Sequence, residues 1–481
     1  MTLHRVARWL ALGFATGVAW LALSAPAQAV PVFARQTGHN CQACHTSPPE
    51  LTAYGREFKL NGYTFGEAQT LPIAVGVMAS YESVSDNTDH STGNKVCNPC
   101  NEFHVDQASL YFGGKLTENL GMFGQYTVAP NQGGTGPWSG AEDNTEIRYV
   151  HRFSSSGSGE DDSLVGLMIN NNLTMQDVWN AVPAWQFPGW FANSQSGFTP
   201  VASTYLDDGV VGPQREVGIG AYLWWKKTIY AELSEYQKPW GSFSWLVNGS
   251  GNNQCAGSAQ VVSGCVPSDV LDGRNPYYRL AYSHDWDYSS IEVGIFGIFA
   301  KTYWDAAYWT PLSVEQSLGF NSPGNATNSY HDFAIDAQYQ YNRNEPWVFT
   351  AATSYIKEHT NLTPLYQNGL ASNTSDSLNE FKIRATTYYD RTYGGSLSLT
   401  TLTGTADPLR YNQGGAGGSA SGSPSSTYWD FELDYVPWQN MKFLLHYTAY
   451  TKLNGGSGNF DGLGNNAAGQ NTLVAGIWWD F

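Results

Sequence analysis

The sequence predicts an all-β fold, a sixteen-stranded antiparallel β-barrel that crosses a membrane. Three observations predict it. From Leu71 onward, apolar residues recur at every second position in runs of about ten, the period of a strand with one face in lipid. Beyond residue 29, no stretch approaches the roughly 18–20 unbroken apolar residues of a membrane-spanning helix. The chain closes on Gly476-Ile477-Trp478-Trp479-Asp480-Phe481, an alternating strand with a terminal aromatic residue, as in bacterial outer-membrane barrels.

Residues 1–29 read as a secretory signal peptide. Arg5 and Arg8 form a basic head, Leu10 to Leu23 an apolar core, and Ala27-Gln28-Ala29 a cleavage site before Val30. The chain is exported and oxidising conditions are expected. The formal net charge is −17, and losing Arg5 and Arg8 makes the mature chain more acidic still. This excludes nucleic acid as a partner and suits cations. Charged residues make up only 14 %, against 18 Trp, 29 Tyr and 51 Gly, a composition suited to lipid-facing strands with aromatic girdles and long loops.

The alternation places sixteen strands at 71–84, 103–116, 120–129, 145–153, 163–171, 215–225, 229–237, 276–285, 290–302, 329–341, 347–357, 380–389, 395–403, 427–436, 441–452 and 471–481. In the first, Ile73, Val75, Val77, Ala79 and Tyr81 face lipid, and Ala74, Gly76, Met78 and Ser80 face the lumen. In 429–436, Asp430, Glu432 and Asp434 share one face, which is expected to be wet. Seven short turns, such as Lys226-Lys227-Thr228, alternate with eight longer loops. The longest loop runs over about 172–214, and the Gly- and Ser-rich loop near 412–426 is expected to be mobile. Short periplasmic turns and long outer loops are the pattern of a porin-like barrel in outer-membrane lipid. The chain thus divides into a leader (1–29), a short N-terminal segment (30–70) and the barrel (71–481).

That short segment carries the sharpest motif, Cys41-Gln42-Ala43-Cys44-His45. C-x-x-C-H is the attachment motif of c-type haem, with thioethers to both cysteines and the histidine as proximal iron ligand. A redox dithiol wants a βαβ setting and a zinc site a second ligand pair, and neither is present nearby. Cys97-Asn98-Pro99-Cys100 lacks the trailing histidine, so a single covalent haem c is expected. Cys97, Cys100, Cys255 and Cys265 read as two disulfides. Proximity favours 97–100 and 255–265, spacing alone does not fix the pairing, and metal binding by Cys97 and Cys100 is the alternative. A segment of about 40 residues is too small for its own core, so the lumen is expected to brace it as a plug.

The runs Pro31-Val32-Phe33-Ala34-Arg35-Gln36-Thr37-Gly38, Cys41 to His45, Pro49-Glu50-Leu51, Tyr54-Gly55-Arg56-Glu57-Phe58-Lys59 and Gly62-Tyr63 resemble the N-terminus of the fused monohaem cytochrome–porin family. Its members include outer-membrane Fe(II) oxidases of iron-oxidising bacteria. The resemblance implies one-electron oxidation of extracellular Fe(II), an oxidoreductase activity. It also implies a periplasmic c-type cytochrome or copper protein as acceptor. Arg35, Arg56 and Lys59 match basic positions of this segment and are expected at haem propionates or lumenal acids.

Strand parity nominates Met78, Met168 and His446 as lumen-facing candidates for a distal ligand, with Met78 and His446 foremost. His39 is too close to Cys41 to reach over a haem. Oxygen-rich sites for Fe(II) are expected at Glu142-Asp143, Asp207-Asp208, and Asp269 with Asp272 on outer loops, or at lumenal Asp430, Glu432 and Asp434. Two other functions compete with iron oxidation: a surface conduit for another donor or acceptor, and a solute porin whose haem segment is structural.

Overall fold

The computed structural model describes residues 31–97, 100–130, 138–155, 162–182, 198–207, 216–238, 243, 246, 271–303, 327–342, 346–412 and 417–481. The expected signal peptide, Cys255 and Cys265 lie outside them.

Five short elements come first: helices α1 (Val32–Thr37) and α2 (Cys41–Cys44), strands β1 (His45–Ser47) and β2 (Glu50–Leu51), and helix α3 (Ala53–Leu60). Sixteen strands follow. They are β3 (Ile73–Val84), β4 (Phe103–Lys115), β5 (Leu120–Pro130), β6 (Trp138–Phe153), β7 (Ser163–Asn170), β8 (Val217–Trp225), β9 (Ile229–Gln237), β10 (Asn275–Trp286), β11 (Ser289–Tyr303), β12 (Thr327–Asn342), β13 (Trp347–Asn361), β14 (Ser375–Tyr389), β15 (Tyr393–Gly404), β16 (Ser426–Trp438), β17 (Met441–Lys452) and β18 (Thr472–Asp480). Each pairs antiparallel with its chain neighbours, and β18 pairs with β3 to close the barrel. Phe481 completes the seam by exchanging backbone hydrogen bonds with Val75 at 2.6 and 2.7 Å.

Period two decides which side chains meet lipid. Outward residues stay exposed on the isolated chain, Leu233 at 72 % and Leu433 at 65 %, while lumenal neighbours such as Glu232 and Glu432 are buried. Such a wall is stable only against hydrocarbon. Trp225, Trp286, Tyr288, Trp347, Tyr389, Tyr393, Tyr435 and Trp438 are exposed beside the short turns. They form the aromatic girdle of one membrane interface.

Among the described residues, two pieces of chain enter the lumen. The first, residues 31–72, sits at the short-turn end and touches strands on several sides. Arg56 donates to Gln338 Oε1 (3.2 Å), Gln340 Oε1 (2.5 Å) and Ser290 Oγ (2.6 Å). Tyr222 donates to the Leu60 carbonyl (2.7 Å), Tyr388 to Ser47 Oγ (2.8 Å) and Arg152 to Asn61 Oδ1 (2.7 Å). The second comes from the loop between β7 and β8. Sequence placed this loop outside, but its residues 171–182 and 198–207 turn inward. Leu173, Ala181, Val182, Tyr205 and Leu206 pack on lumenal Tyr236, Phe296, Ile298 and Ile356. Glu358, Asp332 and Glu380 accept from the backbone or hydroxyl of Tyr205, Leu206 and Thr204 at 2.7–3.0 Å.

Asp430, Glu432 and Asp434 therefore do not line open water. Lys442 Nζ lies 2.6 Å from Glu432 and 3.1 Å from Asp434, and His446 lies 3.4 Å from Asp430 and 3.2 Å from Glu432. The Gly- and Ser-rich loop is also held where it is described: Ala420 N–H donates to Phe460 O at 2.9 Å and Asn454 Nδ2 to Gly417 O at 2.7 Å.

Two outcomes follow. Arg279 is wholly buried, with Asp336 at 2.5 Å, Glu292 at 3.1 Å and Asp177 at 3.8 Å, between the rings of Trp179 and Phe296. Arg279→Ala strands these carboxylates and lowers stability by about 3–5 kcal/mol. The heat-modified band on gels then appears at lower temperature; an unchanged transition refutes the role. At Gly55, a Cβ would stand 2.2 Å from the Cys44 carbonyl oxygen, so α3 and α2 meet only over glycine. Gly55→Val leaves the barrel folded but exposes Arg56 and Lys59 to trypsin, which limited proteolysis of the detergent-solubilised variant detects.

Candidate functional site

The N-terminal segment is shaped by short-range caps. Gly38 ends α1 in the left-handed conformation (φ 71°) and donates to Ala34 O. Asn40 Oδ1 accepts from Ala43 N at 3.0 Å and starts the turn α2. Thr52 caps α3 by accepting from Gly55 N, while its own hydroxyl and N–H donate to the carbonyls of Ala43 and Cys44 at 2.5 and 2.9 Å. The two helices are thereby locked to each other. The wall then docks the turn: Arg391 Nη1 donates to Gln42 O at 2.6 Å and Gln42 Nε2 to Arg391 O at 2.9 Å.

This packing leaves Cys41 and Cys44 as half-buried free thiols. Both line a cavity of about 250 Å³ together with His45. Loss of hydration pushes the thiols up, to about 12 for Cys41 and about 11 for Cys44, so both are protonated at neutral pH. His45 opens onto the cavity but is shut off from bulk water. Desolvation lowers it to about 4, against the opposing pull of the Pro49 and Glu50 carbonyls, so its imidazole is neutral. Its Nδ1 is buried without a hydrogen bond. Phe33, Phe58 and Tyr63 stack into one aromatic wall with centroids 5.1–5.7 Å apart. Lys59, Arg391 and Lys442 line it as well, as does Asp480. Two thiols, a neutral imidazole, apolar walls and charged edges could hold a flat, thioether-linked, anionic cofactor.

Of the basic residues expected there, Lys59 alone lines the cavity. It donates to Met175 O and lies 3.6 Å from Glu146. Arg35 reaches the backbone carbonyls of Leu71 and Ile73. Arg56 is spent on the wall contacts above.

The expected distal ligands also stand elsewhere. Met78 is packed among Leu444, Val474 and Trp478, and Met168 among Leu60, Trp179 and Tyr222. His446 uses both ring nitrogens on Glu432 and Thr448. The methionines that line the cavity are Met175 and Met441. Met441 opens β17 at the short-turn end with the parity of outward-facing Phe443 and Leu445, so the strand pattern does not nominate it. Met175 arrives on the inward loop, which sequence placed outside. His39 stays near the cavity with its ring edge-on to Tyr54 at 5.0 Å.

The expected acidic loop sites disperse. Glu142 and Asp143 lie on β6, which begins seven residues earlier than the alternation indicated, and they accept from Thr145 and Thr127. Asp207 pairs with Lys382 at 2.5 Å. Asp208 and Asp269 lie outside the described residues, and Asp272 donates its N–H to Lys301 O. Cys97 and Cys100 form a disulfide, with Cα atoms 5.4 Å apart.

No protein-family model and no curated protein sequence matches the chain. Solved structures of similar shape include Salmonella typhi OmpF in complex with daunomycin, with TM-score 0.45 and 12 % identity over 85 % of this chain and 97 % of that one. The outer-membrane channel DcaP of Acinetobacter baumannii gives 0.42 and 10 % over 85 % and 96 %, and OmpT of Vibrio cholerae 0.42 and 7 % over 85 % and 97 %. The lipid-facing belt, the aromatic girdle and the closed even-stranded meander place this chain in a bacterial outer membrane.

Proposed function

We propose that the chain is an outer-membrane cytochrome that oxidises extracellular Fe(II) and passes the electrons to a periplasmic c-type cytochrome or copper protein. One observation carries this reading: Cys41, Cys44 and His45 present two free thiols and a neutral imidazole to the same cavity. A single haem c held there supplies a one-electron acceptor. Cys41 and Cys44 anchor it, and α2 sets their spacing. His45 binds the iron through a nitrogen that desolvation keeps unprotonated, and Met175 and Met441 offer thioethers from the cavity wall. Arg391 provides a cation for a propionate, while Lys59 and Lys442 are balanced by Glu146 and by Glu432 and Asp434.

The cavity lies at the short-turn end, which faces the periplasm in bacterial barrels, so the exit to a soluble acceptor is short. Fe(II) as the donor rests on the resemblance of the N-terminal segment and on the acidity of the chain. Its oxidation needs no proton transfer, only proximity and a suitable potential.

A solute porin with a structural haem segment uses the same barrel. Against it stands the lumen, crossed by residues 31–72 and by the inward loop.

Pyridine haemochrome analysis is expected to give one c-type haem per chain, lost in Cys41→Ser/Cys44→Ser while the barrel still folds. Stopped-flow mixing of the oxidised protein with Fe(II) is expected to give a reduced α-band at a rate that saturates. A haem that dithionite reduces but Fe(II) does not removes the iron reading. In planar bilayers the intact protein is expected to conduct far less than an open sixteen-stranded porin; porin-sized steps favour solute transport.

A further inference from the structure

We infer that Glu82, His104 and Asp106 form a binding site for one divalent first-row transition metal ion in the lumenal wall. One oxygen of each carboxylate and one imidazole nitrogen all lie within 4.8 Å of one another. His104 Nε2 is 2.9 Å from Asp106 Oδ1. Ligands about 2.1 Å from one ion stand about 3–4 Å apart, so small side-chain rotations close the set.

The supporting contacts orient it. His104 Nδ1 lies 3.3 Å from the Glu102 carbonyl, a contact that orients the ring with Nε2 towards Asp106. Ser80 donates to Asp106 Oδ1 at 3.0 Å. The backbone is adapted too. Ala79 pairs with Val105 but Met78 with Gln107, so Asp106 is the extra residue of a bulge that aims it inward beside Glu82.

The donor set suits a cation: Glu82 and Asp106 are fully buried, and with His104 they offer two carboxylates and one imidazole. An imidazole with two carboxylates selects Fe(II), Co(II), Ni(II) or Zn(II) over Mg(II) or Ca(II). The site stands on the same strand face as the cysteine cavity. Glu82 pairs with Val474, four residues along β18 from cavity-lining Trp478, or about 13 Å. The inference does not depend on the redox reading.

The test is equilibrium dialysis of chelator-washed, detergent-solubilised protein against Co(II) alone, with cobalt counted by mass spectrometry. One Co(II) per chain is expected, bound about tenfold or more weakly in His104→Gln and in Glu82→Gln. The heat-modified band reports folding of each variant. Absence of stoichiometric Co(II) in the wild type, or unchanged binding in both folded variants, overturns the site.

Discussion

A charge carried into the barrel must be met there, and the interior is organised by that constraint. Glu146 and Arg148 on β6 are both fully buried and pair at 2.7 Å. Neither would be tolerated alone, because an uncompensated buried ion costs several kcal/mol. Three separate parts of the chain converge on them. Lys59 and Tyr63 come from the N-terminal segment, the Gln176 carbonyl from the inward loop at 3.0 Å, and the Tyr222 ring from β8, 5.0 Å from the Arg148 guanidinium. Wall, plug and loop thus each supply part of what satisfies this buried pair. Arg279 repeats the arrangement with Asp177 from the loop and Glu292 and Asp336 from the wall.

The strands were legible because their signal is local. Period two needs only neighbours in sequence, and each of the sixteen expected segments coincides with a strand, most within a few residues. The largest departures, at the starts of β6 and β14, fall where polar lumenal residues such as Glu142, Asn144, Asp376 and Glu380 blur the alternation. The fill of the lumen was not legible. Residues from about 172 onward read as part of an outer loop because the segment to 214 is the longest connection in the chain, and Asn172, Asp177 and Asn180 are polar, as exposed loops are. Their polarity instead matches a polar wall: Asn171 donates to Asp143 O and Leu246 O at 2.6 Å, and Asn172 to Asn144 at 2.8 Å. Composition does not distinguish a loop facing water from one facing buried amides and carboxylates.

The same limit explains the cavity. The cysteines and His45 were readable because a covalent motif is contiguous. The residues around them depend on height along the barrel as well as on facing. Met78 and His446 do face inward, as parity requires, but β3 and β17 place them beside Val474 and Glu432, away from the cavity lining. Met441, an odd five residues before His446, reaches it from the strand end beside the short turn, where strict alternation no longer decides the facing. Within a strand, parity fixes which face a residue takes, and only the shear of the closed sheet fixes its level.

The small size of the N-terminal segment then becomes intelligible. Some forty residues cannot enclose a large planar cofactor by themselves. Here the enclosure is shared. Phe33, Phe58 and Tyr63 come from the segment, while Phe123, Tyr111 and Trp478 come from three wall strands. Ser47 meets Tyr388 and Lys442, and Gln42 meets Arg391. On the proposed haem reading, a free cytochrome would surround its cofactor with its own helices, whereas this chain surrounds the cavity with a membrane wall and adds only the cysteine turn, one supporting helix and the caps between them. The cavity is therefore built jointly by the cysteine segment and the barrel, and its lining is set as much by strands hundreds of residues away as by the motif.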